Sequence, residues 1–122
     1  MATSLRDKLQ LGYGETLEVL DAPPEVAPEV SDLAGPETAG VLAFVTSSED
    51  VARHATALAQ AAADADGLAW AAYPKKSSAV ESDITRDHGW EALSAEGLRP
   101  VRQVAIDDTW SALRFRRTEH VG

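Results

Sequence analysis

Two stretches of this chain are apolar almost without interruption over the length of a strand. They are Gly40-Val-Leu-Ala-Phe-Val-Thr46 and Leu68-Ala-Trp-Ala-Ala-Tyr73. Unbroken runs of that length predict strands buried on both faces. Between them Val51, Ala55, Leu58, Ala59 and Ala62 recur at helical spacing and predict a helix with a small-residue face laid on a sheet. Ser47-Ser-Glu-Asp50 supplies its start, with Ser47 placed to cap and acidic residues in the first turn, and Gly67 stops it. A third pattern closes the chain. From Ser111 to about Arg117, Leu113 and Phe115 alternate with Arg114 and Arg116, which predicts a strand with one buried and one arginine-bearing face.

The remaining segments carry weaker patterns. Ser4 to Leu11 predicts a short amphipathic turn with Leu5 and Leu9 on one side, and Thr16-Leu-Glu-Val-Leu20 a first strand. Asp21 to Pro28 reads as loop, because adjacent prolines cannot continue a ladder, and a short extended piece is expected around Glu29 to Leu33. A second helix is expected from Ser82 or Asp83 to about Glu96, burying Ile84, Trp90 and Leu93, weakened at Gly89 and ended by Gly97. Asp83 and Thr85 read as helix-start residues. Pro100 marks an exit into a strand from Val101 to Ile106, the turn Asp107-Asp-Thr-Trp110 follows, and the tail from Thr118 to Gly122 is expected to fray.

Strands alternating with helices predict an α/β fold: a three-layer, Rossmann-like open sheet, mostly parallel, closed by a C-terminal antiparallel hairpin. The four residues between Ile106 and Ser111 are too few for a parallel crossover, so the last strand must run antiparallel. A single domain over residues 1–122 is expected, with about 1–12 and 118–122 flexible. Ligands of open α/β sheets bind outside the carboxyl ends of the strands. The loops on that rim would be Asp21 to Pro24, Thr46 to Ser48, Tyr73 to Ser78 and Asp107 to Ser111. If the last strand pairs beside Leu68 to Tyr73, then Lys75, Lys76, Asp107, Asp108 and Trp110 form one mixed-charge cluster.

Charge narrows the partners. The 122 residues include 20 acidic and 11 basic side chains for a net charge of -9, which repels a polyanion over most of the surface and disfavours nucleic acid. With 44% hydrophobic residues there is enough apolar material for one core. The absence of cysteine removes disulfides and thiolate chemistry. The charged amino terminus lacks an apolar signal-peptide core and no run reaches the length of a membrane span, so a soluble cytoplasmic protein is expected, without membrane partners.

Lys75, Lys76, Ser77 and Ser78 can converge ammonium charge and hydroxyl donors on a phosphate or carboxylate, although the glycines of a P-loop are missing. With Asp107, Asp108, Trp110 and Ser111 they are the candidate ligand-binding residues; the bland alternative is a solvated loop. Two aspartates can divide acid and base roles, but such pairs more often make the turn by bonding their own backbone, and no catalytic residue is assigned. His54, His88 and His120 are scattered, so no metal site is expected. Trp70 reads as core and Trp90 as a helix-to-sheet contact. Arg114, Arg116 and Arg117 form a basic stripe, read as a solvated or subunit-contact face.

Asp66-Gly-Leu-Ala-Trp-Ala-Ala-Tyr-Pro74, with the order of elements, resembles the carboxy-terminal half of the class I S-adenosylmethionine-dependent methyltransferase fold. Tyr73-Pro-Lys-Lys-Ser-Ser78, Ser82-Asp-Ile-Thr85 and Ala105-Ile-Asp-Asp-Thr-Trp-Ser111 followed by Leu113-Arg-Phe115 are similar, over roughly residues 10 to 117, to a family of small bacterial proteins of uncharacterised function. The resemblance implies a truncated methyltransferase-like scaffold. Where those enzymes carry a Gly-rich loop after the first strand, this chain has Asp21-Ala-Pro-Pro24, which denies the cofactor both amides and close approach. S-adenosylmethionine is therefore not expected to bind, and no cofactor is expected. The leading expectation is a non-enzymatic domain that binds a small anionic ligand or a protein partner at the carboxyl rim. The alternatives are a methyltransferase-like enzyme or its degenerate descendant, and a homodimeric structural or regulatory module.

Overall fold

The computed structural model describes residues 5–11, 15–35, 38–63, 67–75, 82–84 and 89–118. Their order is α1 (Leu5–Lys8), β1 (Thr16–Leu20), α2 (Ala27–Val30), a 3-10 turn (Ser31–Leu33), β2 (Thr38–Phe44), α3 (Ser48–Ala63), β3 (Leu68–Pro74), α4 (Glu91–Ala95), β4 (Leu98–Ala105) and β5 (Trp110–Arg117). The strands form one mixed sheet in the order β1-β2-β3-β5-β4. Pairs β1–β2 and β2–β3 are parallel, while β3–β5 and β4–β5 are antiparallel.

This corrects the expected three-layer, mostly parallel Rossmann-like sheet. Among the described residues α3, with 16 residues, is the only long helix, and the other helical pieces have three to five. Prolines explain part of the shortfall. Pro23, Pro24 and Pro28 leave room only for single turns between β1 and β2, and Pro28 is tolerated in α2 because it occupies the first turn, where its missing N–H is not needed. Those turns also replace the extended piece expected at Glu29 to Leu33. Of the helix expected from Ser82 to Glu96, the described residues are helical only at α4: Ser82 turns back to accept the Ile84 amide on its hydroxyl, Gly89 takes φ 100°, and residues 85–88 lie outside the described ones. The antiparallel strand β5 pairs beside β3 and is covered on its other side by β4.

Each face of the sheet has its own apolar layer. Val41, Ala43 and Val45 of β2 and its exit, Ala69, Ala71 and Tyr73 of β3, and Leu113 and Phe115 of β5 meet α3 and α4. The alternate residues Leu42, Phe44, Leu68, Trp70, Ala72, Trp110 and Ala112 meet Leu9, Leu11, Val26, Val30 and Leu33. All seven residues of β3 are buried, as its unbroken apolar sequence requires. Gly40 lies opposite Leu68, where a Cβ would collide with the Leu68 carbonyl, so β2 and β3 approach through a glycine.

Local chemistry shapes the ends. The Trp70 indole donates to the Leu9 carbonyl at 3.0 Å, tying the amino-terminal segment to the sheet. Pro100, expected to precede β4, lies inside it. A proline is accommodated there because β4 is an edge strand and its register shifts between Pro100 and Arg102. Of the tail expected to fray, Thr118 is held, its amide and hydroxyl both donating to the Gly97 carbonyl, at 2.9 and 3.1 Å; residues 119–122 lie outside the described ones. No helix is long and apolar enough to cross a membrane among the described residues.

Candidate functional site

The carboxyl ends of β1, β2 and β3 define a rim, and β5 begins beside it. Lys75, the first residue beyond β3, donates its amide to the Thr109 carbonyl at 2.7 Å, and Pro74 pairs with Trp110. The β4–β5 turn is thereby fastened to the lysine loop. The turn itself is built by Asp107, whose Oδ1 accepts the amides of Thr109 at 2.8 Å and Trp110 at 2.7 Å. A carboxylate so engaged is a turn-former. Asp108 is exposed, and Ser111 is buried in the ladder between Tyr73 and Ala105. Lys76, Ser77, Ser78, Thr85, His88 and His120 lie outside the described residues.

Trp110 is only 1% exposed, with its ring edge-on to Phe44 at 5.2 Å between centroids. It packs inside the sheet's second apolar layer and does not present a wall to solvent. Its Nε1 is buried without a hydrogen-bond partner, an orphan donor directly behind the turn. On the other face Tyr73 donates no wall to solvent either: its ring meets Trp90 edge-on at 5.6 Å, and its hydroxyl accepts from Gln103 Nε2 at 2.7 Å.

A second group on the rim was not singled out by sequence patterns. His54 of α3, almost buried, places Nε2 2.7 Å from Oδ2 of Asp21, which follows β1 at φ 58°. Asp50, one turn earlier on α3, accepts the Thr46 amide at 3.0 Å and hydroxyl at 3.1 Å and pairs with Arg53 at 3.1 Å. Burial alone would raise the Asp50 pKa; the two Thr46 hydrogen bonds, with the charges of Arg53 and His54, outweigh it and hold the pKa below the usual aspartate range.

The start of α3 is closed by protein groups. Ser47 caps it, its hydroxyl accepting the Asp50 amide at 3.1 Å. Asp83, expected to start a helix of its own, instead accepts the Ser48 amide of α3 at 3.0 Å from 35 residues away. Carboxylates thus occupy the place where an exposed helix start would receive a phosphate. Neither Asp21–His54 nor Ser48–Asp83 has a spacing signal in the chain, since each joins residues more than 30 positions apart.

Among the described residues no group of three or more His, Cys, Asp or Glu is placed to hold a metal ion. No protein-family model, curated protein or solved structure matches this chain.

Proposed function

We propose that this chain is a non-enzymatic α/β domain that binds a small anionic ligand, or an acidic group of a protein partner, at the carboxyl rim beside Lys75 and the Asp107 to Ser111 turn. The observation that carries this reading is the 2.7 Å bond from the Lys75 amide to Thr109, which fixes the base of a half-buried cation against a structured turn. A cation on a pinned backbone loses less freedom on meeting an anion than one on a free loop. The sequence continues into Lys76, Ser77 and Ser78, three more side-chain donors.

The rim favours binding over catalysis. Asp107 is committed to two backbone amides, and the other carboxylates near the start of α3, Asp50 and Asp83, hold the structure around it. Asp21-Ala-Pro-Pro24 after β1 weighs against a methyltransferase-like enzyme and its cofactor.

A thermal-shift panel of nucleotides, inorganic phosphate, di- and tricarboxylates and S-adenosylmethionine tests the reading. A ligand at a hundredfold its Kd adds about 2.7 kcal/mol to stability. Stabilisation by an anion that disappears in the Lys75→Ala/Lys76→Ala variant is the expected result. Stabilisation by none of them, or equal stabilisation of the variant, overturns the small-anion reading, and a response to S-adenosylmethionine alone would restore the enzymatic one.

A further inference from the structure

Five of the chain's eight arginines lie between Leu98 and Arg117, and the only acidic residues in that hairpin are Asp107 and Asp108 in its turn. Cross-strand register sorts them. Arg99 stands opposite Arg116, and Arg102 opposite Arg114. Residues directly opposite in an antiparallel pair share a face, and Arg114 is also opposite Trp70, which belongs to the layer against the amino-terminal segment. Arg114 Nη1 donates to the Gln10 side chain at 2.7 Å on that same face, and Lys8 Nζ reaches the Ala105 carbonyl at 3.3 Å. Four arginines in two cross-strand pairs, with a lysine beside them, thus gather on one face of the hairpin in a chain of net charge -9.

Like charges directly opposite on a sheet repel. Neither turn geometry nor core packing requires this placement, since Arg99 and Arg102 are exposed. Both lie on β4, the last strand of the sheet, with no strand paired on its outer side among the described residues. Five consecutive residues of β4, Arg99 to Gln103, are exposed, and Val101 is the exposed large hydrophobic residue of the described chain, at 39%.

We propose that the outer edge of β4 is a docking surface for an extended acidic peptide, which adds as a sixth strand and places carboxylates beside Arg99 and Arg102. A strand laid along β4 takes main-chain hydrogen bonds from the open edge on either side of Pro100, which has no N–H to give, and sets its own side chains opposite Arg99 and Arg102. Carboxylates at those positions receive the guanidinium forks of Arg99 and Arg102. The remainder of the acidic surface repels a long polyanion such as nucleic acid, whereas a short strand engages the hairpin alone. This surface is distinct from the rim at Lys75.

The test uses the full chain and three labelled probes in fluorescence anisotropy: a peptide alternating Glu and Val, the same peptide N-methylated on alternate amides, and a single-stranded oligonucleotide of equal charge. Expected is binding of the first peptide that weakens about tenfold or more in Arg99→Ser/Arg102→Ser, weakens comparably on N-methylation, and falls with salt. A lysine pair, Arg99→Lys/Arg102→Lys, separates charge from fork geometry and should bind with intermediate strength. Thermal melts of each variant show whether it is folded. No binding of the peptide at about 1 mM in low salt, or binding unchanged in the serine variant, overturns the proposal. Tighter binding of the oligonucleotide than of the peptide also overturns it, in favour of a nucleic-acid surface.

Discussion

His54 Nε2 and Asp21 Oδ2 meet at 2.7 Å, joining the second turn of α3 to the residue that follows β1. The bond crosses 33 positions, and Asp21 itself sits at φ 58°, a left-handed conformation open to glycine and, less freely, to asparagine and aspartate. The Asp21 side chain is 58% exposed, so the pair is screened on one side by water and its coupling should be modest. A double-mutant cycle of Asp21→Gly and His54→Ala, read by urea denaturation, should return a coupling of about 0.5 kcal/mol. Asp21→Ala should be less stable than Asp21→Gly by about 1 kcal/mol, because only glycine relieves the left-handed backbone. Equal stability of the two would show that the backbone there is not strained.

Gly40 should be the least replaceable glycine. Its missing Cβ faces the Leu68 carbonyl across the β2–β3 ladder, a contact with backbone that no side-chain rotamer can relieve. Gly40→Ala should destabilise the protein by about 3 kcal/mol, at the upper end for overpacking, seen as a lower urea midpoint. Gly97→Ala makes a useful contrast: nothing lies within 4 Å of its added Cβ, and only the φ of 81° opposes it. Its loss should stay near 1 kcal/mol.

Trp70 should matter twice over. Its ring is fully buried and its indole donates to Leu9, itself fully buried. Trp70→Phe keeps most of the apolar volume but strands the Leu9 carbonyl, for a loss of about 1–3 kcal/mol. Amide exchange of residues around Leu9 should speed up more than that of α3, on the opposite face, if the amino-terminal segment is held by this bond.

Acid should act partly through Asp50. Its folded-state pKa lies below the unfolded one, so its contribution is present above the unfolded value, near about 3.9, and is lost as pH falls through the lower folded value. Stability measured from neutral pH down to about pH 2 should therefore fall less steeply below pH 4 in Asp50→Asn than in the wild type, at the price of a lower plateau at neutral pH. Parallel acid limbs would remove Asp50 from the account.

Asp83→Ala should release the first turn of α3. The Ser48 amide loses its acceptor, and the segment 82–84 loses one of its anchors to the start of the helix. A loss of about 1 kcal/mol is expected, typical of a helix cap, with Asp83→Asn retaining most of it because an amide oxygen still accepts. Calorimetric melts of the two variants distinguish a cap from a general charge effect.

Local pattern was sufficient for much of this protein. The unbroken apolar runs of β2 and β3, the small-residue spacing of α3 with its Ser47 cap, and the alternation of Leu113 and Phe115 are properties of neighbouring residues, and each element forms where its pattern lies. The antiparallel direction of β5 followed from the length of one turn. Other features depended on distant partners. The sheet is not layered between long helices because prolines and side-chain turns cut the connections short, and no periodicity shows where β5 will insert. Pro100 sits inside a strand only because that strand is an edge. Asp83 caps a helix other than the one its position suggested, and His54 finds Asp21 only when α3 packs across the end of β1. The Lys75 loop and the 107–111 turn meet through a backbone bond, which chain spacing does not encode. Sequence determined where β2, β3, β5 and α3 lie, because hydrogen bonding and burial at short range select them; tertiary packing alone decided which charged groups face one another, because that depends on strand order and register.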